Sequence, residues 1–234
     1  MLLLAIDAAT LHVSLALGEG PVGGRRLLAE LEIPPGQNAS ERLPEAFVEL
    51  LSQAGRPLEA LEGFVVGTGP GSLTGLRVAM ASVKGFAFAR RLPSIGISSL
   101  EAMAHDLGPA PGLAVALVDA RRGELYAGLF RRHADRVEVV EPTLAISASA
   151  LAERLRGEQP LRLFGPGEPL VREAMAQAGV SYGSDGPGRP RAAALLALCP
   201  ALPPFDAAAL AALEPRYVRA PESEWAIKPR KPRA

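Results

Sequence analysis

The chain has 234 residues, 48% hydrophobic and 21% charged, which excludes a largely disordered chain and is long enough to bury a core without disulfides or a structural metal. Acidic and basic residues balance at 25 each, so the basic excess of a chain that grips nucleic acid by itself is missing. The one cysteine, Cys199, excludes an internal disulfide and reads as a buried hydrophobe, and no Cys/His cluster has zinc-ligand spacing.

The apolar run from Met1 to Asp7 reads as a buried strand. It lacks the basic leader and small-residue cleavage site of a signal peptide. No apolar stretch is long enough to span a bilayer, so a cytoplasmic location and no membrane contact are expected. After a turn at Ala8–Leu11, His12–Leu17 gives a second strand. Leu27–Ile33 alternates apolar and polar residues as a third strand with one solvated face. Leu43, Phe47, Leu50, Leu51 and Ala54 fall on one face of a helix that Gly55 stops, with Asn38 and Ser40 as candidate caps and Pro44 near the first turn. Phe64–Gly67 predicts a short buried strand. Arg77–Arg91 predicts a long helix ended by Pro93.

The second half begins in the same way. Leu113–Val118 is an apolar strand ending at Asp119, Gly123–Phe130 a second and Val137–Ile146 a third. A helix over Ala148–Leu155, a strand over Leu161–Phe164 and a helix over Glu168–Ala178 follow. Setting Ala5-Ile6-Asp7-Ala8 over Leu117-Val118-Asp119-Ala120 aligns both strand pairs without a gap. This weak internal repeat predicts two similar α/β lobes facing each other, divided as 1–108 and 109–234. Ser181–Pro190 reads as a loop. Leu195–Leu213 reads as a helix broken at Pro200–Pro204, and Arg216–Arg219 as a last strand. The tail from about residue 228 alternates Lys, Arg and Pro and reads as disordered.

The sharpest motif is the turn of Gly67, Thr68, Gly69, Pro70, Gly71, Ser72, Leu73, Thr74 and Gly75, between a strand and a helix. Its N–H groups could hold an anion. It has no lysine before Ser or Thr and so is not a P-loop. The spacing favours a tight turn against which another backbone packs. Asp7 and Asp119 end the first strand of each lobe. They could face each other across a cleft and hold magnesium through water, or each could cap its own hairpin, the reading the sequence favours. Ala9 and Arg121 stand where phosphate-binding hairpins carry glycine. His12, His105 and His133 lack the i, i+4 spacing of a helical metal site, and no G-x-S-x-G elbow exists. The helix from Leu76 to Arg91 is apolar nearly all round, with one polar stripe of Arg77, Lys84 and Arg91. Such a helix must be buried on more than one side, by its own chain or by a partner.

Five segments carry a family resemblance: AIDAATLHVSLAL, GTGPGSLTGLRVAMASVKGFAFA, PSIGISSLEAMA, VDARRGELYAGLF and EPRYVR, in order from residue 5 to 219. Together they resemble the TsaB (YeaZ) family, accessory subunits of the bacterial machinery that makes N6-threonylcarbamoyladenosine in tRNA. The resemblance implies two ribonuclease-H-like lobes of the actin, Hsp70 and sugar-kinase superfold. It implies a scaffold or activator without catalysis or cofactor, the chemistry and the metal-binding histidines belonging to the paralogous TsaD. It implies pairing with TsaD, or with a second copy when alone, through two helices near Asn38–Ala54 and Leu76–Arg91. On those helices Phe47, Leu51, Leu76, Arg77, Met80, Val83, Lys84 and Ala87 are the expected contacts. The ATPase TsaE joins the assembly, and tRNA is met through the complex. Asn38-Ala39 departs from a frequent His-Ser or His-Thr, and Thr68 from a frequent Arg. An ATP-binding phosphotransferase or ATPase of the same superfold stays open as an alternative. So does a protease-like protein.

Overall fold

The structure is a computed structural model and describes residues 1–134, 136–186 and 188–218. Strands β1 (Leu2–Asp7), β2 (Val13–Glu19) and β3 (Arg26–Ile33) form an antiparallel meander. Every residue of β1 is buried because this strand lies mid-sheet with both faces covered, so its apolar run is continuous and does not alternate. Helix α1 (Ala39–Gln53) is capped by Asn38, whose side chain accepts the Ser40 N–H. Strand β4 (Gly63–Gly67) returns parallel to β1.

Helix α2 (Leu73–Arg90) starts four residues before the expected Arg77. Ser72 caps it by accepting the Gly75 N–H, so the end of the glycine turn is already helical. Arg91, at φ 53°, ends it. Strand β5 (Ser94–Ile97) and helix α3 (Ser99–Asp106) follow. The periodicity above missed both, being too short to show a period. The cap signal for α3 was nevertheless present in Ser98 and Glu101, and Ser98 Oγ accepts the Glu101 N–H. The first sheet runs β3-β2-β1-β4-β5.

The second sheet repeats this plan. Strands β6 (Ala110–Arg121), β7 (Glu124–Arg132) and β8 (Val137–Ser147) are antiparallel. Helix α4 (Ala148–Arg154) leads to β9 (Leu161–Phe164), parallel to β6. A 3₁₀ turn at Glu168–Val171, helix α5 (Arg172–Gln177) and β10 (Gly183–Ser184) complete it, in the order β10-β9-β6-β7-β8. Exchanging β1-β2-β3-β4-β5 for β6-β7-β8-β9-β10 maps one sheet on the other. The expected class, α/β with two ribonuclease-H-like lobes, is the fold observed.

The division at 108/109 does not describe the packing. Helix α6 (Ala192–Leu198) crosses back to the first sheet, where Leu195 and Leu196 pack with Leu3, Ala5, Ala16 and Val65. Helix α7 (Ala207–Ala212) lies against α2. The first sheet has two apolar faces; α1 and α2 cover one, and the later helix α6, with Ala102 of α3, covers the other. Helix α3 seats Leu100, Met103 and Ala104 on the second sheet beside Ala116 and Phe130. Among the described residues 216–218 no strand forms, and Arg216 makes a lone backbone bond, its N–H to the Thr68 carbonyl at 2.8 Å. The expected tail from about residue 228 lies outside the described residues. Among the described residues no helix is long and apolar enough to cross a membrane.

Candidate functional site

The glycine turn meets Asp7 and the first hairpin at one end of the first lobe, while Asp119 of the second lobe lines the cleft that Ser72 and Thr74 also border. A Cβ on Gly67 would stand 2.0 Å from Asp7 Oδ2, one on Gly71 2.0 Å from the Ala9 carbonyl oxygen, and one on Gly75 2.3 Å from that of Ala8. The turn therefore lies flush on the β1–β2 hairpin, and the glycines are needed for that approach. Its polar groups are used internally: Ser72 N–H donates to Ala9 O at 2.7 Å, Thr68 N–H to Ile97 O at 2.8 Å, and Gly69 N–H to Ser99 Oγ at 3.0 Å. This is the tight packing turn that the spacing favoured. Thr74, on the first turn of α2, is exposed beside it.

Asp7 is 1% exposed and does not face a cleft. Its Oδ1 accepts the Ala9 N–H at 2.9 Å and its Oδ2 accepts the Ser99 hydroxyl at 2.6 Å. Asp119 Oδ1 accepts the Arg121 N–H at 2.7 Å in the matching hairpin. Each aspartate caps the turn that follows its strand, the structural one of the two roles considered above. The second turn depends on this cap because Arg121 (φ 66°) and Arg122 (φ 57°) both sit in the left-handed region. Among the described residues no group of three or more His, Cys, Asp or Glu could hold a metal ion. Ser99 was not foreseen; an Asp–Ser contact between residues 92 apart leaves no local signal.

Burial pushes the Asp7 carboxyl up to about 6, against the opposing pull of its bonds from Ser99 and Ala9. The folded value lies above the unfolded 3.8, so the proton is held more tightly in the folded chain. That contribution is complete below about 3.8 and is lost as pH rises through about 6. A shift of this size corresponds to about 3 kcal/mol. Asn can keep the Ala9 bond through its amide oxygen and, with the Ser99 bond reversed so that its amide N–H donates to Ser99 Oγ, avoid burying a charge. Asp7→Asn is therefore expected to raise the melting temperature at pH 7.5 and to lose that advantage by pH 4.5. An advantage that grows toward acid would show that burial of the charge is not the dominant effect.

The lobes leave an open cleft of about 540 Å³, lined by Thr10, Ser72, Thr74, Asp119, Arg121 and Tyr126 among others. Cys199 is buried and burial pushes its thiol up, as expected of a packing residue.

The expected interface residues divide sharply. Phe47, Leu51, Leu76, Met80, Val83 and Ala87 are each 3% exposed or less and belong to the chain's own interior. Five of them sit in the cluster beneath α1 and α2, Leu76 lies against Gly69 of the glycine turn, and none of the six is free to form a partner seam. Arg77 is exposed and Lys84 half-buried. The apolar groups that α1 and α2 do present are Val48 (61% exposed), Leu73 (42%) and Phe88 (65%), with Ala81 and Gly85 exposed between the last two along α2. Hydropathy alone could not separate the two sets, because α2 is apolar on nearly every side, its one polar stripe excepted.

The family model described as TsaD, tRNA N6-adenosine threonylcarbamoyltransferase, matches residues 35–183. The tRNA threonylcarbamoyladenosine biosynthesis protein TsaB of Escherichia coli is 34% identical over 149 residues, 62% of this chain and 62% of that protein. The match thus spans less than two thirds of that relative's length. The Bacillus subtilis protein of the same description is 29% identical over 174 residues, 74% of each chain. The solved structure of YeaZ from Pseudomonas aeruginosa superposes with a TM-score of 0.71 at 28% identity, covering 84% of this chain and 89% of that one.

Proposed function

The chain belongs to the TsaB (YeaZ) family, and from that premise we propose that it is a non-catalytic subunit that activates a TsaD-type transferase in making threonylcarbamoyladenosine in tRNA. The observation that carries the reading is the closed hairpin. Where an ATP-using member of the superfold would admit a phosphate, the Gly71 backbone stands against Ala9, and Asp7 is pinned and buried. Chemistry therefore falls to the partner. The partner surface in this reading is the exposed stripe of Leu73, Arg77, Ala81, Gly85 and Phe88 on α2 with Val48 of α1. Two such helix pairs can meet as a four-helix bundle. A second copy takes the same place when the transferase is absent, TsaE joins the pair, tRNA is met through the complex, and the assembly works in the cytoplasm.

One observation favours a second reading, a nucleotide-binding phosphotransferase or ATPase: the open cleft beside Ser72, Thr74 and Arg121. The two separate cleanly. The pure chain is expected to turn over no ATP and to retain co-expressed TsaD on an affinity column. ATP turnover by the pure chain, abolished in Asp7→Ala, would overturn the non-catalytic reading.

A further inference from the structure

The polar stripe of α2 is not left to solvent. Each of its three cations meets the C-terminal segment. The Arg91 guanidinium lies 5.1 Å over the Phe205 ring. Lys84 Nζ donates to the Ala211 carbonyl at 2.8 Å, near the end of α7, where last-turn carbonyls lack helical partners. Arg77 Nη2 donates to the Tyr217 hydroxyl at 3.4 Å. As the α2 number falls from 91 to 77 the segment number rises from 205 to 217, so the segment runs antiparallel along the helix. Leu210, 6% exposed, joins the cluster that holds Met80, Val83 and Ala87, and Phe205 and Leu213 pack against it.

Beyond these contacts and the Arg216 N–H bond to the Thr68 carbonyl, this attachment is thin. Between Phe205 and Val218, Leu210 is the one buried residue. Exposed cationic contacts are individually weak. The seat is also incompletely packed: a pocket of about 580 Å³ opens between Arg91–Ser94 and Pro203–Leu210. On its wall the buried Ser94 Oγ has no hydrogen-bond partner among the described residues. Segments with few buried contacts open at far lower cost than the core beneath them.

We propose that Phe205–Tyr217 is a detachable clasp that competes with the partner for the flank of α2, so that its release tightens assembly. The proposal rests on the α2 reading given above and adds a regulation to it. It also specifies the competitor. A departing clasp leaves three cations spaced by seven residues and an apolar socket where Leu210 sat. The chain that replaces it must offer carboxylate or carbonyl acceptors to Arg77, Lys84 and Arg91, with an apolar side chain between them. A helix of the transferase partner with an acidic, leucine-bearing face fits that description.

The test uses the full chain and the double variant Phe205→Ala/Leu213→Ala, which strips two anchors from the clasp and leaves α2 untouched. Hydrogen exchange is read by mass spectrometry, and TsaD binding by calorimetry. In the wild type, amides of 207–213 are expected to exchange at least tenfold faster than those of β4. In the variant they should speed up a further tenfold while β4 stays unchanged, and TsaD binding should tighten about fivefold or more. Clasp amides that exchange only at the β4 rate would make the segment part of the core and end the proposal. A released clasp with unchanged or weaker TsaD affinity would end the competition. If neither chain binds TsaD, the α2 reading fails and the competition with it, while the exchange rates still decide whether the clasp detaches.

Discussion

Val83→Glu is expected to unfold the chain, whereas Ala81→Glu leaves it folded and costs it its partner. The two residues are neighbours on α2 and differ only in which way they face. Val83 is fully buried beneath α2, in the cluster with Phe47, Phe64 and Leu210. No cation in that cluster can pair with a new carboxylate, and an unpaired buried charge costs several kcal/mol or takes up a proton at a similar cost. That is a large part of the roughly 5–15 kcal/mol that holds a domain folded. Ala81 is exposed, and a surface substitution there changes stability by about 0.5 kcal/mol or less. Circular dichroism melts should show a lost or severely lowered transition for Val83→Glu and a near wild-type one for Ala81→Glu. In the proposed function, light scattering and TsaD pull-down then report loss of both assemblies for Ala81→Glu. A well-folded Val83→Glu protein would contradict the packing. A folded Ala81→Glu protein with unchanged TsaD affinity would move the interface elsewhere.

Gly71→Ala is expected to lower the melting temperature by about 6–12 °C. Its added Cβ would lie 2.0, 2.7 and 2.9 Å from the O, C and Cα atoms of Ala9. All three are backbone, so no flexible side chain can yield, and the hairpin and the glycine turn must part. Overpacking of this kind costs about 3 kcal/mol or more where nothing can move aside, and at this chain length each kcal/mol is worth about 2–4 °C. Gly85→Ala is the control, since a Cβ there meets nothing within 4 Å. On an exposed helix it removes the glycine penalty of about 1 kcal/mol, so this variant should melt slightly higher. A Gly71→Ala protein that melts within two or so degrees of wild type would show the hairpin to be mobile.

Much of the fold was legible in the chain because its signals are local. The continuous apolar run Leu2–Asp7, the alternation of Leu27–Ile33 and the apolar spacing of Leu43, Phe47, Leu50 and Leu51 each state a period that one element can satisfy. The repeat of Asp7 and Asp119 announced two like hairpins, because an aspartate accepting the N–H two residues on is a contact within one turn. What α2 faces was not legible. A helix that is apolar on all sides but one narrow stripe has little hydropathic direction, so Met80, Val83 and Ala87 read as interface until α1, the sheet and the returning α7 were in place to cover them. The same holds for α6, which belongs to the first sheet although it follows the second. It holds too for Arg77, Lys84 and Arg91, whose partners lie 140, 127 and 114 residues away. Contacts across such separations are selected by the burial of whole faces, and no stretch of sequence read alone contains both sides of them.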